Sequence, residues 1–477
     1  MRSRKILAKK ARIFHASTRQ GHGCWRWTHR HSRRLGSKGR FTAEGTERTE
    51  KNVLGVLPLG PLWRSCLVAA PLRYPLNKSK PGSDGIRLMQ QRSLQQVRAS
   101  VSLIFLIHGL ITATWASRIP AFQAHLHLSP AVLGRSLMMA AIGSVLAMPA
   151  AGWLINKFGS LSIVIGSTLG FGLALPLIAE SNTVLTLSVA LLFYGAMAGS
   201  MDVAMNTHAV MLERRYQRHI MSSFHALFSL GAMAGSALGG LVASRAVPAG
   251  IHFWVSGIAL AAMSILAFRW LPLPSAPGGA EKVASGGTIT WSIPLGALAL
   301  LAFSIMLVEG AIADWSAVYL RTSVLTGPGL AALGYAVFSG AMAGGRLTGD
   351  YLTGKLGRGH LVCYGALLAA AGLALVLLFG NAGWALVGFT CAGAGLATII
   401  PNTFAAAGNI EGSAPGPSLA VVSTAGYVGF LAGPPLIGFV AQHSTIRAAL
   451  WILVVLSGLS AFASTSMKRT SPLRRIP

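Results

Sequence analysis

The sequence predicts an all-α integral membrane protein with twelve transmembrane helices arranged as two pseudo-symmetric six-helix bundles. Three observations carry that expectation. Of 477 residues, 53% are hydrophobic and only 11% charged, with a mean hydropathy of +0.58, a composition far from that of soluble globular proteins. Apolar stretches of about twenty residues, long enough to cross a hydrocarbon core of about 30 Å, recur from Ser100 onward. The third observation is an internal repeat whose two copies lie roughly 200 residues apart.

Residues 1–98 come first, and they differ from the rest. They hold 22 of the 40 Lys and Arg and 4 of the 12 acids, so +18 of the net +28 sits there and +10 remains beyond. With no sustained helical period and little to bury, the segment is expected to be disordered. It reads as a leader resembling an organelle transit peptide, as a basic arm, or as residues outside the working protein, with Met89 an alternative start. Because the charge is concentrated there, the basic balance does not make the helical body a nucleic-acid binder.

Spans are expected near 100–115, 130–152, 161–179, 184–211, 222–244 and 253–271, forming a first bundle over 99–271. A second set, near 294–319, 330–349, 361–380, 383–407, 418–441 and 448–466, forms a bundle over 294–467. Residues 272–293, rich in Pro, Gly and Ser, read as a cytoplasmic linker, and 468–477 as a basic tail. Cytoplasmic loops collect Lys and Arg. Starting the first helix inside puts fifteen such residues between Arg92 and Arg475, Arg346 among them, on the inner face. Five remain outside: Arg118, Arg135, Arg245, Arg321 and Arg447. Both termini are therefore expected in the cytoplasm, and the bilayer is taken to be a bacterial inner membrane.

Cys24, Cys66, Cys363 and Cys391 have no paired spacing and no neighbouring His at ligand intervals, so neither a disulfide framework nor a metal site is expected. No nucleophile, base and oxyanion set appears, nor a phosphate loop. The expectation is a protein without cofactor that is not an enzyme.

The repeat pairs Leu154, Lys157 and Gly159 with Leu352, Lys355 and Gly357, and Gly235 with Gly433, at an offset of 198. Gly199, Asn206 and Thr207 pair with Gly395, Asn402 and Thr403 at 196. Trp115 pairs with Trp315 at 200, and His108-Gly109 with Glu309-Gly310 at 201. On that last alignment His108 and Glu309 face each other across the two bundles.

Twelve spans in six plus six, with the loop GWLINKFGS carrying Gly152, Lys157 and Gly159 and its echo at Lys355, Gly357 and Arg358, resemble the major facilitator superfamily. Its signature in that loop is G-x-L-x-D-R-x-G-R-R. Asn156 and Gly354 stand where the acid is usual and Ser160 where a base is, which weakens any charge relay in this gating loop. MDVAMN, SSFHALFSLG and VEGAIADW are similar to the MosC/YbjJ-like branch. The resemblance implies the major facilitator fold, a central cavity lined by helices 1, 4, 7 and 10 with help from 5 and 11, and transport by alternating access.

Polar groups in the spans give the candidate site. Residues 304–321, SIMLVEGAIADWSAVYLR, carry Glu309 and Asp314 although a charge at the membrane centre costs about 2.5–3.5 kcal/mol on insertion scales. Glu309 reads as the main proton-responsive group or as a structural partner of a buried base. Asp314, beside Trp315, reads as a rim ion pair with Arg321 or a coupling acid. His108, Thr112 and Trp115 share one helix face, for substrate, proton or plain packing. Asp202, one turn from Asn206, reads as a gate bridging to a base in the loop between helices 2 and 3, or as a second coupling carboxylate. His225 with Ser222 and Ser229 in helix 5, Asn402 in helix 10 and Tyr427 in helix 11 complete the set. The expected function is secondary active transport of a small polar solute, a sugar or inositol-like compound, coupled to protons, by a monomer in a lipid bilayer. Proton-antiport export of a metabolite or drug is the first alternative, and a non-transporting sensor or assembly protein the second.

Overall fold

The computed structural model describes residues 83–217, 220–271, 291–410 and 415–464. Among these residues the chain is all helix. α1 is Ser83–His125. The stretch Pro130–Ala179 breaks at Gly159, so its arms are α2 (130–158) and α3 (160–179). Then follow α4 (Val184–Tyr216), α5 (Met221–Ser244), α6 (Ala249–Phe268), α7 (Ile293–Thr322), α8 (Pro328–Leu356) and α9 (Arg358–Phe379). The twelve are completed by α10 (Ala382–Ala407), α11 (Pro415–His443) and α12 (Ile446–Ala463).

Among the described residues, ten helical stretches are long and apolar enough to cross a membrane. Pro130–Ala179 counts once among them but crosses twice, and α8 supplies the twelfth span although it carries Arg346, Asp350 and Lys355. Leu185, Ile258, Phe439 and Phe462 stand on the outer surface, each more than half exposed. In water such a surface would aggregate; in a bilayer it is the lipid face.

Helix starts follow local chemistry. The side chains of Ser129, Thr183, Ser292, Asn381 and Thr445 accept hydrogen bonds from the first turns of α2, α4, α7, α10 and α12, satisfying orphan N–H groups. Glu213, at the end of α4, accepts from the backbone N–H of Ile220 and Met221 at 2.7 and 2.9 Å, so it caps α5 and joins the two helices.

The repeat is visible in three dimensions. Gly159 (φ 81°, ψ 156°) and Gly357 (φ 78°, ψ 150°) make the same turn between α2 and α3 and between α8 and α9, in a region of backbone space essentially reserved for glycine. α1 crosses α5 where Gly231 meets Leu106 O and Gly235 meets Leu110 O. In the second bundle α7 crosses α11 where Gly429 meets Phe303 O and Gly433 faces Leu307 O. These crossings set α1 and α7 at an offset of 197, which corrects the alignment of His108 with Glu309: Glu309 occupies the place of Thr112. In α4 and α10 the equivalent approaches are Gly195 to Ala140 O and Gly393 to Phe338 O, at 198. Beyond them, the side chains of Asn206 and Asn402 each bond the carbonyl four residues back, as do those of Thr207 and Thr403, at 196. The two-residue difference falls where α10 loses helical form, at Ala397 and Thr398.

Both termini of the helical body lie at one end of the molecule, called the near end; α1 runs from it to the far end. The bundles meet closely in the far half. A Cβ on Gly134 of α2 would lie 2.5 Å from Pro434 O and 3.2 Å from the Cα of Gly438 on α11, and one on Gly240 of α5 2.9 Å from Gly329 O on α8. Ser236 donates to Ala332 O across the same seam. Toward the near end α4 and α10 share no packed interface among the described residues.

The sequence-based boundaries need two changes. Residues 83–98, read as disordered leader, are helical and continue α1 toward the near end; residues 1–82, most of the linker (272–290) and the tail (465–477) lie outside the described residues. Spans also run longer than their apolar cores, α4 reaching Tyr216 and α7 Thr322, because amphipathic ends continue the helix into the interface.

Gly159→Ala and Gly357→Ala are each expected to cost about 1–3 kcal/mol and to lower the thermal midpoint of the purified protein. Gly152→Ala, whose Cβ would meet nothing within 4 Å, is expected to leave the midpoint unchanged or higher. Differential scanning fluorimetry in detergent checks all three.

Candidate functional site

Counting 1.5 Å per residue from the far helix ends sorts the polar groups between the bundles into levels. Trp115, Tyr194, Asp314 and Tyr335 lie about 10–15 Å down. Glu309, Ser229, Asp202, Tyr427, Arg346 and His225 lie about 20–30 Å down. Asn402 lies nearer still to the near end, on the last turns of α10.

Arg346 on α8 organises the middle level. One guanidinium nitrogen donates to Ser229 Oγ at 2.6 Å and to the His225 carbonyl at 3.3 Å, both on α5 of the other bundle. The other nitrogen stands 3.5 Å from Glu309 Oε1 on α7. The Arg346 and Glu309 side chains are 15% and 21% exposed, so the pair is mostly withdrawn from solvent yet open on one side. Charge counting assigns Arg346 to the inner face although it falls within the expected span 330–349. It lies about 15 Å inside the near end of α8, and that position within an apolar run is the sequence signal that marks it as a site residue.

The second connection between bundles is Tyr427 on α11, whose hydroxyl donates to Asp202 Oδ2 at 3.1 Å while Asn206 Nδ2 donates to Oδ1 at 3.0 Å. Asp202 therefore pairs with a tyrosine of the opposite bundle and not with a base in the loop. It also sits about 21 Å from the near end of α4, deeper than a helix ending at Met211 would place it.

Other candidates are turned elsewhere. His108 packs between Phe171 of α3 and Phe228 of α5, with ring centroids at 5.2 and 5.3 Å, and neither ring nitrogen has a hydrogen-bond partner. Thr112 donates to His108 O, and Trp115 lies against Phe122, Tyr194 and Phe253. The His108–Thr112–Trp115 face thus points into the core of its own bundle, which corrects the expectation that it faces the space between bundles. Asn402 bonds Thr353 of α8 and Thr398 O, within the second bundle. Trp315 is fully buried. Asp314 has no ion pair with Arg321, which instead bonds Thr326 O at 2.7 Å.

In the gating loop, Gly159 and Gly357 make the turns described above. Lys157 lies over the exposed rings of Trp153 and Phe158, 5.2 and 5.1 Å from their centroids, a cation–π contact suited to the membrane interface. Ser160, in the place of a motif base, bonds His208 of α4 at 3.2 Å.

Two six-helix bundles sealed at one end, with buried polar bonds joining them at mid-depth, are the architecture of an alternating-access transporter. The chain belongs to the Major Facilitator Superfamily, whose model matches residues 101–415. It is 36% identical over 367 residues to an uncharacterized MFS-type transporter of Yersinia pestis, covering 76% of this chain and 93% of that one. With the membrane protein MosC of Rhizobium meliloti it shares 31% over 373 residues, 78% of this chain and 90% of the relative. Among solved structures, a bacterial homolog of the human lysosomal transporter Spinster superposes with a TM-score of 0.63 at 12% identity, covering 82% of this chain and 98% of that one. The chain is an integral multi-pass membrane protein, a secondary transporter by family, resembling the MosC branch.

Tyr427→Phe removes one hydrogen bond to a carboxylate, a bond class worth about 1.5–3 kcal/mol. Spin labels at Arg215 on α4 and Leu419 on α11 are expected to show a longer mean separation in the variant by double electron–electron resonance. An unchanged distance distribution would mean that the bond does not hold the bundles together.

Proposed function

We propose that the protein moves a small polar solute across a bacterial inner membrane, with both termini cytoplasmic, by proton-coupled alternating access as a monomer. The observation that carries the coupling is the Arg346 cluster. One cation is shared between Glu309 of its own bundle and the Ser229 hydroxyl and His225 carbonyl of the other. Protonating Glu309 removes the charge that draws Arg346 toward α7 and leaves it held by α5 alone; deprotonation reverses the balance. A proton thereby changes how firmly the two bundles are joined, which is the differential interaction a coupling group needs. Asp202 acts second, through Tyr427. The solute binds between the bundles, beneath the far-end seal, with sugars and inositol-like compounds as the first class to examine.

The orientation rests on charge. Taking Arg346 out of the inner-face count, as a site residue, leaves fourteen cations on the near side against five on the far side. Three of the five far-end arginines are bound to backbone carbonyls: Arg118 to Val247, Arg321 to Thr326, and Arg447 to Leu377 and Leu378.

The test is uptake by proteoliposomes over a panel of sugars, inositols and amino compounds, with and without an imposed pH gradient. Glu309→Gln is expected to lose at least about tenfold of the gradient-driven rate, a loss of about 1.4 kcal/mol in driving interaction. Gradient-driven uptake at the wild-type rate would sink the coupling role of Glu309. Stability gives an independent check, because removing one partner of a buried pair strands the other: Arg346→Met is expected to melt lower than the double variant Glu309→Gln/Arg346→Met.

A further inference from the structure

Arg346 is held loosely for a mostly buried cation. A guanidinium has five N–H donors in a rigid fork, and here they are unevenly used. Nη1 donates to the Ser229 hydroxyl at 2.6 Å and the His225 carbonyl at 3.3 Å, both neutral acceptors. Toward the one carboxylate it meets the fit is poorer: Nη2 stands 3.5 Å from Glu309 Oε1, against about 2.7–2.9 Å for a well-made charged bond. The contact is also single, where arginine and a carboxylate frequently pair through two parallel bonds. Among the described residues Nε–H has no acceptor and Glu309 Oε2 has no donor. The edge of the guanidinium formed by Nε and Nη2, which can take a carboxylate side-on, is thus gripped by no protein carboxylate.

The same two groups are left within reach of a solute. Their side chains keep 15% and 21% exposure, and charge in a span faces protein or a water-filled space rather than lipid. The other titratable groups at this depth are engaged or turned away. Asp202 holds Tyr427 and Asn206, and the His225 ring stands edge-on to Phe105 at 5.4 Å. Arg346 is the one Lys or Arg at the middle level among the described residues.

We propose that Arg346 is the recognition group for a carboxylate on the transported solute, and that Glu309 stands in as its counter-ion until the solute arrives. The inference rests on the transporter reading and names the class of its solute: a monocarboxylate, with sugar acids the first to examine. Charge balance selects that class. The resident pair is neutral. When Glu309 carries the proton assigned to it above, Arg346 is left as an uncompensated cation at mid-depth, a costly state, and one solute carboxylate restores neutrality. A phosphate monoester brings nearly two negative charges and leaves the site anionic, while an ammonium group adds a second cation beside Arg346. A neutral sugar can bond the fork but offsets no charge. Because Nη1 stays bonded to α5 while the side chain belongs to α8, a solute on the free edge acts on both bundles.

The experiment compares carboxylates with neutral twins on the purified full-length protein, in Tris chloride at matched ionic strength so that no buffer carboxylate or phosphate competes. Sodium D-glucuronate is set against D-glucuronamide, and cyclohexanecarboxylate against cyclohexanecarboxamide, with glucose 6-phosphate as the dianion. Thermal shift and intrinsic tryptophan fluorescence are read for the wild type, Arg346→Met, Arg346→Lys and Glu309→Gln. The expected result is that at least one carboxylate raises the melting temperature of the wild type more than its amide does and more than the phosphate does. Its affinity falls about tenfold or more in Arg346→Met, the size of a lost charge-assisted bond, and by a smaller factor in Arg346→Lys, which keeps the charge without the fork. It rises about threefold or more in Glu309→Gln, where the competing counter-ion is gone and more of the protein is ready to bind. No preference for the carboxylate in either pair with wild-type protein, a comparison that needs no variant to fold, overturns the inference. So does a preference for the phosphate, undiminished carboxylate binding by Arg346→Met, or weaker binding by Glu309→Gln, which would leave the pair a structural one. Flux of a neutral sugar that depends on Glu309, with no binding of either carboxylate, would sink the carboxylate site and leave the transporter reading standing. Carboxylate binding through Arg346 without flux of any panel member would do the reverse.

Discussion

Close backbone approach between helices is the constraint on which the rest of this structure depends. In lipid there is no hydrophobic force to press one apolar helix against another, so association comes from packing and from buried polar bonds. Here the contacts that set the crossings are glycine on carbonyl: Gly199 against Ser144 O, Gly235 against Leu110 O, and Gly134 against Pro434 O. Each brings two backbones nearer than any larger residue would allow. With Gly429 against Phe303 O, these crossings hold α4 on α2, α1 on α5 and α7 on α11, and so fix the directions in which the polar side chains of α4, α5 and α7 point. The far seam between bundles uses the same device, and the middle level is left to hydrogen bonds and one ion pair, interactions that can be broken and remade.

That division of labour separates what holds the bundles from what moves them. The contacts named in the glycine seam, among the described residues, are with Pro434, Gly438, Gly329 and Ala332, none of which titrates. The polar level below has Glu309, Arg346, His225 and Asp202, with partners on both sides of the interface. Under the proposed coupling, a change of charge at Glu309 alters how Arg346 is shared between its own bundle and Ser229 and His225 of the other, the kind of adjustable joint that rocking about a midplane site uses.

Much of the architecture was legible in the sequence, because span length and composition are set by bilayer thickness and backbone satisfaction. The repeat was legible too: Gly159 and Gly357 were matched from sequence, and both carry the positive φ that only glycine tolerates well. The site was legible in part. Glu309, Asp202, His225 and Tyr427 were named, since polar residues in apolar runs announce themselves. What sequence could not supply was direction. His108 looked like a cavity residue and is packed among phenylalanines, because one helix face borders its own bundle as well as the other. Arg346 is counted with the inner-face cations by sequence although it lies within the expected span 330–349, because nothing in the sequence shows which partners a near-end cation meets. The partnership of His108 with Glu309 rested on an offset of 201, whereas the crossings of α1 and α7 give 197; a few residues suffice to turn a helix position through most of a circle.

Glu213, which caps α5 from the end of α4, has a consequence for how quickly the molecule changes state. Asp202 sits on α4 and the two acceptors of Arg346 sit on α5, so the bonds to the opposite bundle lie on two helices whose near ends are fastened together. If the proposed rocking takes place, this fastening couples the two bonds, and the passage between orientations is expected to show one relaxation time whichever of the two bonds a probe happens to watch.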